Sequence, residues 1–266
     1  MLDKFNRRID YLRVSVTDRC NQRCVYCMPE SGVSLIPRKE ILSFEEIRDV
    51  VTAAVELGVT KVRLTGGEPL VRKDIVTLVQ MLAENRSIKD LAMTTNGVLL
   101  TEFAKPLKHA GLDRLNISLD ALDAARYAAN TRGGDVNAVL GGIEAAKDAG
   151  FSVIKLNCVV EKSSDEPDAK QVAQFGAIHG FEVQFIRRMN MAKGKFWPVE
   201  GGRGGDCPNC NRIRLTSNGF VRPCLFGDIA FSVRELGPRE AIMRAVEAKP
   251  ERGKVSKEGA FYTVGG

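Results

Sequence analysis

Apolar and polar residues alternate in two registers over roughly the first 188 positions of the chain. Short runs with a period of two predict strands. Ile9 to Val16, with Asp10, Arg13 and Ser15 interleaved, is the first of them. Further strands are expected around positions 63, 93, 116, 156 and 184. Longer stretches between them predict helices from Ser43 to about Gly58, over Ile75 to Glu84, Glu102 to Ala110 (with a proline near its start), Ala121 to Ala129, Val136 to Ala149 and Asp168 to His179. Ser43-Phe44-Glu45-Glu46 supplies a capping hydroxyl and early acids, and Gly58, Gly111 and Gly150 act as stops. Six strands alternating with helices imply parallel βαβ units. The expected fold class is α/β, a partial (β/α)6 TIM-like barrel rather than a closed eightfold one. In such sheets function gathers at the carboxyl ends of the strands.

After Arg188 the texture changes. Gly194, Gly201, Gly202, Gly204 and Gly205 crowd together around Trp197-Pro198, which predicts a linker or a loop over the barrel mouth. The expected organisation is a barrel over 1–190, a Gly-rich linker over 191–206 and a small C-terminal unit over 207–266. Within that unit, Ile213 to Thr216 and Phe220 to Arg222 predict a hairpin about Ser217-Asn218-Gly219. Such a hairpin carries Cys224 back towards Cys207 and Cys210.

Composition narrows the class. A chain of 266 residues with 44% hydrophobic positions can bury a substantial core. No apolar run reaches the length of a membrane span, and the charged start at Met1 to Arg8 has no apolar segment behind it. A cytoplasmic protein without a membrane partner is expected. The net charge of +6 is spread along the chain. A pocket for a small polyanion accounts for it as well as nucleic acid would, and no nucleic-acid partner is expected. The two histidines, His109 and His179, read as surface or packing residues, so histidine acid–base chemistry is not the theme.

Six of the seven cysteines fall into two tight groups, which suits metal binding in a reducing compartment. Cys20, Cys24 and Cys27 have CxxxCxxC spacing, and Cys207 and Cys210 form a CxxC pair followed by Cys224. A disulfide would leave one thiol of each trio unpaired. Three soft ligands suit an iron–sulfur cluster with one open iron, and a zinc loop with a distant fourth ligand is the alternative. Cys158, alone in a strand, reads as a buried packing residue. Arg212 and Arg214 share a strand face and read as an anion fork, or else as a solvated basic strand. Gly66-Gly67-Glu68-Pro69 follows a strand, where glycines let the backbone approach a ligand. Asn116 and Ser118 share a face at the end of another strand.

With Tyr26 just before its third cysteine, CxxxCxxC resembles the signature of the radical S-adenosylmethionine (SAM) superfamily. Several further stretches resemble one branch of it, the GTP 3′,8-cyclases of molybdenum cofactor biosynthesis. They run over 12–21, 27–29, 62–70, 94–97, 210–215 and 222–226, together with a Gly265-Gly266 tail. The resemblance implies two 4Fe-4S clusters, each with three cysteine ligands and an open iron, held by Cys20, Cys24 and Cys27 and by Cys207, Cys210 and Cys224. It implies SAM lined by Tyr26, Gly66, Gly67, Glu68, Ser118 and Met189. It implies GTP held by Arg13, Arg63, Thr94, Lys155, Arg212 and Arg214, with Gly265 and Gly266 reaching the catalytic centre near Arg13. The implied activity is a lyase reaction. A 5′-deoxyadenosyl radical takes the ribose C3′ hydrogen of GTP, and C3′ then attacks purine C8 to give 3′,8-cyclo-7,8-dihydro-GTP. An electron donor such as flavodoxin or ferredoxin is implied as a partner, and a homodimer is left open. Two features depart from the branch. The stretch between Met189 and Cys207 is short, and Arg187-Arg188 stands where an acidic and an apolar residue are usual. A superfamily paralogue acting on a peptide or other substrate is the second reading.

Overall fold

A computed structural model describes residues 1–257 and 261–264. Among the described residues, nine strands form one sheet: β1 (Tyr11–Ser15), β2 (Lys61–Thr65), β3 (Asp90–Thr95), β4 (Arg114–Ser118), β5 (Ile154–Val160), β6 (Glu182–Arg187), β7 (Arg212–Leu215), β8 (Phe220–Arg222) and β9 (Phe231–Ser232). Their order is β6-β5-β4-β3-β2-β1-β7-β8-β9, so the sheet is open. Neighbours from β6 to β7 run parallel, and β7, β8 and β9 are antiparallel. The helices are α1 (Phe44–Glu56), α2 (Ile75–Ala83), α3 (Leu100–His109), α4 (Ala124–Thr131), α5 (Val136–Asp148), α6 (Pro167–His179), α7 (Val233–Leu236), α8 (Pro238–Glu247) and α9 (Phe261–Val264). Among the described residues, no helix is long and apolar enough to cross a membrane.

The six strands expected from the alternation are β1 to β6. The sheet does not stop at the Gly-rich stretch, however. β7 pairs with β1, so the hairpin expected in a separate unit extends the barrel sheet on its other side. The hairpin itself closes over the expected turn, with Gly219 at φ +89°. α1 starts at the expected capping box: Ser43 Oγ accepts from Glu46 N at 3.1 Å, and Ser43 N donates to Glu46 Oε2 at 2.7 Å. Two helix boundaries differ from expectation. α3 begins at Leu100, which places Pro106 well inside it. Glu102, whose carbonyl Pro106 leaves without a donor, is exposed, so water can satisfy it. α4 begins after Asp123, whose carboxylate accepts from Arg126 N at 2.9 Å and so outcompetes the apolar start at Ala121.

The register divides the sheet into two faces. Val14, Leu64, Met93, Leu115 and Ile154 lie side by side and join the core with Ile47 of α1, Leu78 of α2 and Ile242 of α8. Burial of each such side chain contributes roughly 2 kcal/mol. On the other face, Arg214, Arg13, Arg63, Ala92 and Arg114 form the adjacent row. The helices carry the folding energy on one side, and the concave side is left polar.

Candidate active site

A cavity of about 850 Å³ lies on that polar face. All six grouped thiols line it, as do the residues expected around SAM and GTP. Gly265 and Gly266 lie outside the described residues. All seven cysteines are free thiols.

The first thiol group sits in the loop after β1, which is bound to its surroundings mainly through its backbone. Val25 N donates to Asn130 O at 2.9 Å, and Arg132 donates to the carbonyls of Arg23 and Met28 at 2.7 and 2.9 Å. Gly67 N donates to Thr17 O at 2.7 Å and Glu68 N to Arg19 O at 2.8 Å, which docks the Gly66-Gly67 turn on this loop. A Cβ on Gly67 would strike the Arg19 carbonyl, so only glycine permits the approach. Glu68 is buried, and its carboxylate accepts from Leu70 N at 3.0 Å, Thr95 Oγ1 at 2.7 Å and Asn96 N at 2.7 Å. It therefore braces the end of β3. Burial pushes Glu68 up to about 7 despite these bonds. Asp120 is pushed up by burial to about 6 and accepts from Tyr26 Oη at 2.7 Å. Burial likewise raises Cys20 to about 11 and Cys24 and Cys27 to about 12, with Glu68 adding to the rise at Cys20 and Asp120 at Cys24.

The second thiol group is assembled from two segments. Cys210 N donates to Cys207 O at 3.2 Å, closing the CxxC turn, and the β7–β8 hairpin delivers Cys224. Burial pushes Cys210 up, but Lys249 and Arg212 outweigh it and the net shift is downward. Burial raises Cys224, against Lys249 and Arg214. Among the described residues, no three His, Cys, Asp or Glu side chains are gathered tightly enough for one metal ion. Each trio supplies three soft thiolate donors, one for each of three irons of a cubane, so both donor sets fit 4Fe-4S clusters.

Between the two trios the wall is basic. Among the described residues, ten Lys and Arg side chains line the cavity against three Asp and Glu. Arg13 and Arg214 are neighbours in register and nearly fully buried. Burial holds Arg13 well below its usual range, and the charges of Arg214, Arg63 and Arg212 lower it further. Burial and Arg212 bring Arg214 down to about 10. The Tyr11 ring lies between the guanidiniums of Arg63 and Arg212, at 5.6 and 5.5 Å from its centroid. Arg63 Nε, Arg212 Nε and Thr94 Oγ1 are buried without a hydrogen-bond partner. Crowded cations and unused donors around a cavity suit an incoming polyanion. Not every cation is open to one. Arg114 is held bidentately by Asp90 at 2.6 Å for both bonds, and the Lys155 ammonium is engaged by Glu182.

The Gly-rich stretch closes one flank. It bridges to the edge of β6, with Phe185 N donating to Glu200 O at 3.0 Å and Glu200 N to Phe185 O at 3.1 Å. Arg187 stacks on Trp197 at 3.9 Å. Gly201 to Gly205 then line the cavity, and Arg203 O accepts from Arg212 at 2.9 Å. Sequence reasoning missed Tyr11, Arg114 and Lys249. The first two stand two positions before Arg13 and Asn116, so strand alternation carried their signal. Nothing in the sequence marked Lys249.

The Radical SAM superfamily profile matches residues 14–175. The chain is 39% identical to the GTP 3′,8-cyclase of Thermodesulfovibrio yellowstonii, over 94% of this chain and 95% of that protein. It is 40% identical to the GTP 3′,8-cyclase of Pelotomaculum thermopropionicum, over 95% of this chain and 94% of that one. The first alignment spans 305 positions, more than the 266 residues present here, so that relative carries segments this chain lacks. Among solved structures, Streptococcus suis SuiB superposes with a TM-score of 0.61 at 14% identity, over 87% of this chain and 65% of that one. The structure of anSMEcpe with bound AdoMet and the Cp18Cys peptide gives 0.53 at 19% identity, over 70% of this chain and 52% of that one. These structures share the fold. The chain belongs to the radical SAM superfamily and, within it, to the family of the GTP 3′,8-cyclases.

Proposed function

We propose that this chain is a radical SAM lyase that converts GTP to 3′,8-cyclo-7,8-dihydro-GTP in molybdenum cofactor biosynthesis, with the basic cavity as the reaction chamber. The observation that carries this reading is the row of guanidiniums from Arg214 through Arg13 to Arg63, set between two thiol trios in one cavity.

Cys20, Cys24 and Cys27 would hold the cluster that, with SAM, supplies a carbon radical. Gly66, Gly67, Tyr26, Ser118 and Met189 would line SAM, with Glu68 keeping the glycine turn docked. Cys207, Cys210 and Cys224 would hold the second cluster near the guanine. Arg13, Arg63, Arg212 and Arg214 would take the triphosphate, whose charge offsets their mutual repulsion. Thr94 and its unused hydroxyl would add a hydrogen bond, and Lys155 would join on release from Glu182. The Gly265-Gly266 tail would approach Arg13. The flank built by the Gly-rich stretch would help exclude water from a reactive carbon centre. The barrel (1–190), strap (191–206) and second-cluster segment (207–266) would then divide the work. Free thiols at all seven cysteines suit a reducing cytoplasm. An electron donor such as flavodoxin or ferredoxin completes the reaction, and homodimerisation is compatible with it.

Anaerobic incubation of reconstituted protein with SAM, a reductant and GTP tests the assignment by mass analysis. A cyclised GTP product together with 5′-deoxyadenosine is expected. 5′-Deoxyadenosine without any GTP-derived product would overturn the substrate and favour a peptide.

A further inference from the structure

The second thiol group has a neighbour that no motif announces. Lys249, just beyond α8, is 1% exposed. Its ammonium donates to the carbonyl of Arg212 at 2.7 Å and to that of Pro223 at 2.8 Å. Arg212 is two residues beyond Cys210, and Pro223 directly precedes Cys224. One cation thus ties together the two segments that carry these thiols, and it lines the same cavity. An ammonium buried this deeply is costly unless negative charge lies close by. Burial pushes Lys249 down and Arg7 adds to this, while Cys210 and Cys224 oppose the shift. Arg7 completes the frame from the amino-terminal side. It donates to Cys207 O at 2.8 Å and to the carbonyls of Pro250 and Glu251 at 2.7 and 2.9 Å, and it is paired with Asp3 at 2.7 Å.

We propose that Lys249 is a positioning residue for the second 4Fe-4S cluster: its fixed charge, set between the segments bearing Cys210 and Cys224, stabilises the thiolate set and favours the reduced form of the bound cluster. This rests on the reading that the second trio holds a cluster. The chemistry is general. Net charge and hydrogen bonding around the sulfurs set a cluster's potential, and groups beyond the ligands hold the ligands in place.

The test uses the full chain carrying C20A, C24A and C27A, so that any cluster present is the second one. Iron and sulfide are counted after anaerobic reconstitution, and reduction is followed by electron paramagnetic resonance during a redox titration. K249Q keeps N–H donors for both carbonyls and removes the charge. Its reduced-to-oxidised ratio at a fixed potential is expected to fall about tenfold, a shift of about 59 mV for one electron. K249R is expected to restore the ratio. Loss of iron in K249Q with retention in K249R would also support the charge role. K249Q with full iron and an unchanged potential would overturn the proposal alone. So would a folded K249R that loads no iron. A parent chain without iron would overturn the second-cluster reading itself, and the proposal with it.

Discussion

The two thiol trios offer the same number of ligands to one cavity from opposite electrostatic settings. Around Cys20, Cys24 and Cys27 the charged neighbours are carboxyl groups, Glu68 and Asp120, and all three thiols are pushed up, first by burial. Around Cys210 and Cys224 the neighbours are Lys249, Arg212 and Arg214; Cys210 shifts downward, while burial still raises Cys224. An acidic setting makes a reduced cluster a stronger donor, and a basic one favours holding the electron and attracting anions. Under the proposed function, the two sites would do different work through the residues around them. The first suits electron delivery to a sulfonium, and the second suits a polyanionic nucleotide.

Swapping a ligand at each site is the sharpest way to break this comparison. Cys20→Ala is expected to abolish both 5′-deoxyadenosine and cyclised product. Cys224→Ala is expected to abolish the cyclised product while 5′-deoxyadenosine is still released. Chromatography of both small molecules from anaerobic reactions checks this. Equal loss of both in Cys224→Ala would mean that the sites are not separable.

How far the site could be read from the sequence follows the range of the interactions that build it. Arg212 with Arg214 and Asn116 with Ser118 were legible because a strand places i and i+2 on one face. The Ser43 capping box was legible because its bonds span three residues. The pairing of β7 with β1 was not, since Tyr11 and Arg212 are neighbours in register but far apart in sequence. That pairing puts Arg13 beside Arg214, which no local pattern contains. Lys249 is the extreme case. A lysine near a helix end is ordinary in sequence, and only the packed structure shows its ammonium between two buried segments.

The cationic side can be sharpened by removing its fork. Arg212→Ala combined with Arg214→Ala is expected to weaken GTP binding on the order of 100-fold, since charge-assisted hydrogen bonds contribute roughly 1.5–3 kcal/mol each. Anaerobic calorimetry with GTP reads this directly. An unchanged affinity would place the triphosphate elsewhere.

On the acidic side, burial raises Glu68 to about 7, above its unfolded value near 4.5. The folded state therefore holds this proton more tightly than the unfolded state does. Stability falls as pH rises from about 4.5 to 7 and levels off above, on the order of 3 kcal/mol in all. Glu68→Gln is expected to flatten that part of the profile. Urea unfolding of reduced, metal-free protein at pH 5 and pH 8 tests it, and equal slopes in both proteins would sink the claim.

The smallest effect is expected at the thiol outside both groups. Cys158 is fully buried in β5 within the apolar core, and burial pushes its thiol up, so it stays protonated. Its Sγ lies 3.8 Å from the Asp120 carbonyl, a weak contact. It does not line the cavity, unlike Asn157 and Val159 on either side of it, because alternation along β5 turns its side chain towards the helices. Cys158→Ala therefore removes one buried sulfur and leaves a small void, at a cost of roughly 1 kcal/mol. Iron content after reconstitution is expected to match the parent, with only a slight fall in the unfolding midpoint. A loss of iron would mean that packing behind β5 positions Asp120 and, through Tyr26, the first thiol group. The contrast between the two trios would then depend on the core as well as on the charges around each site.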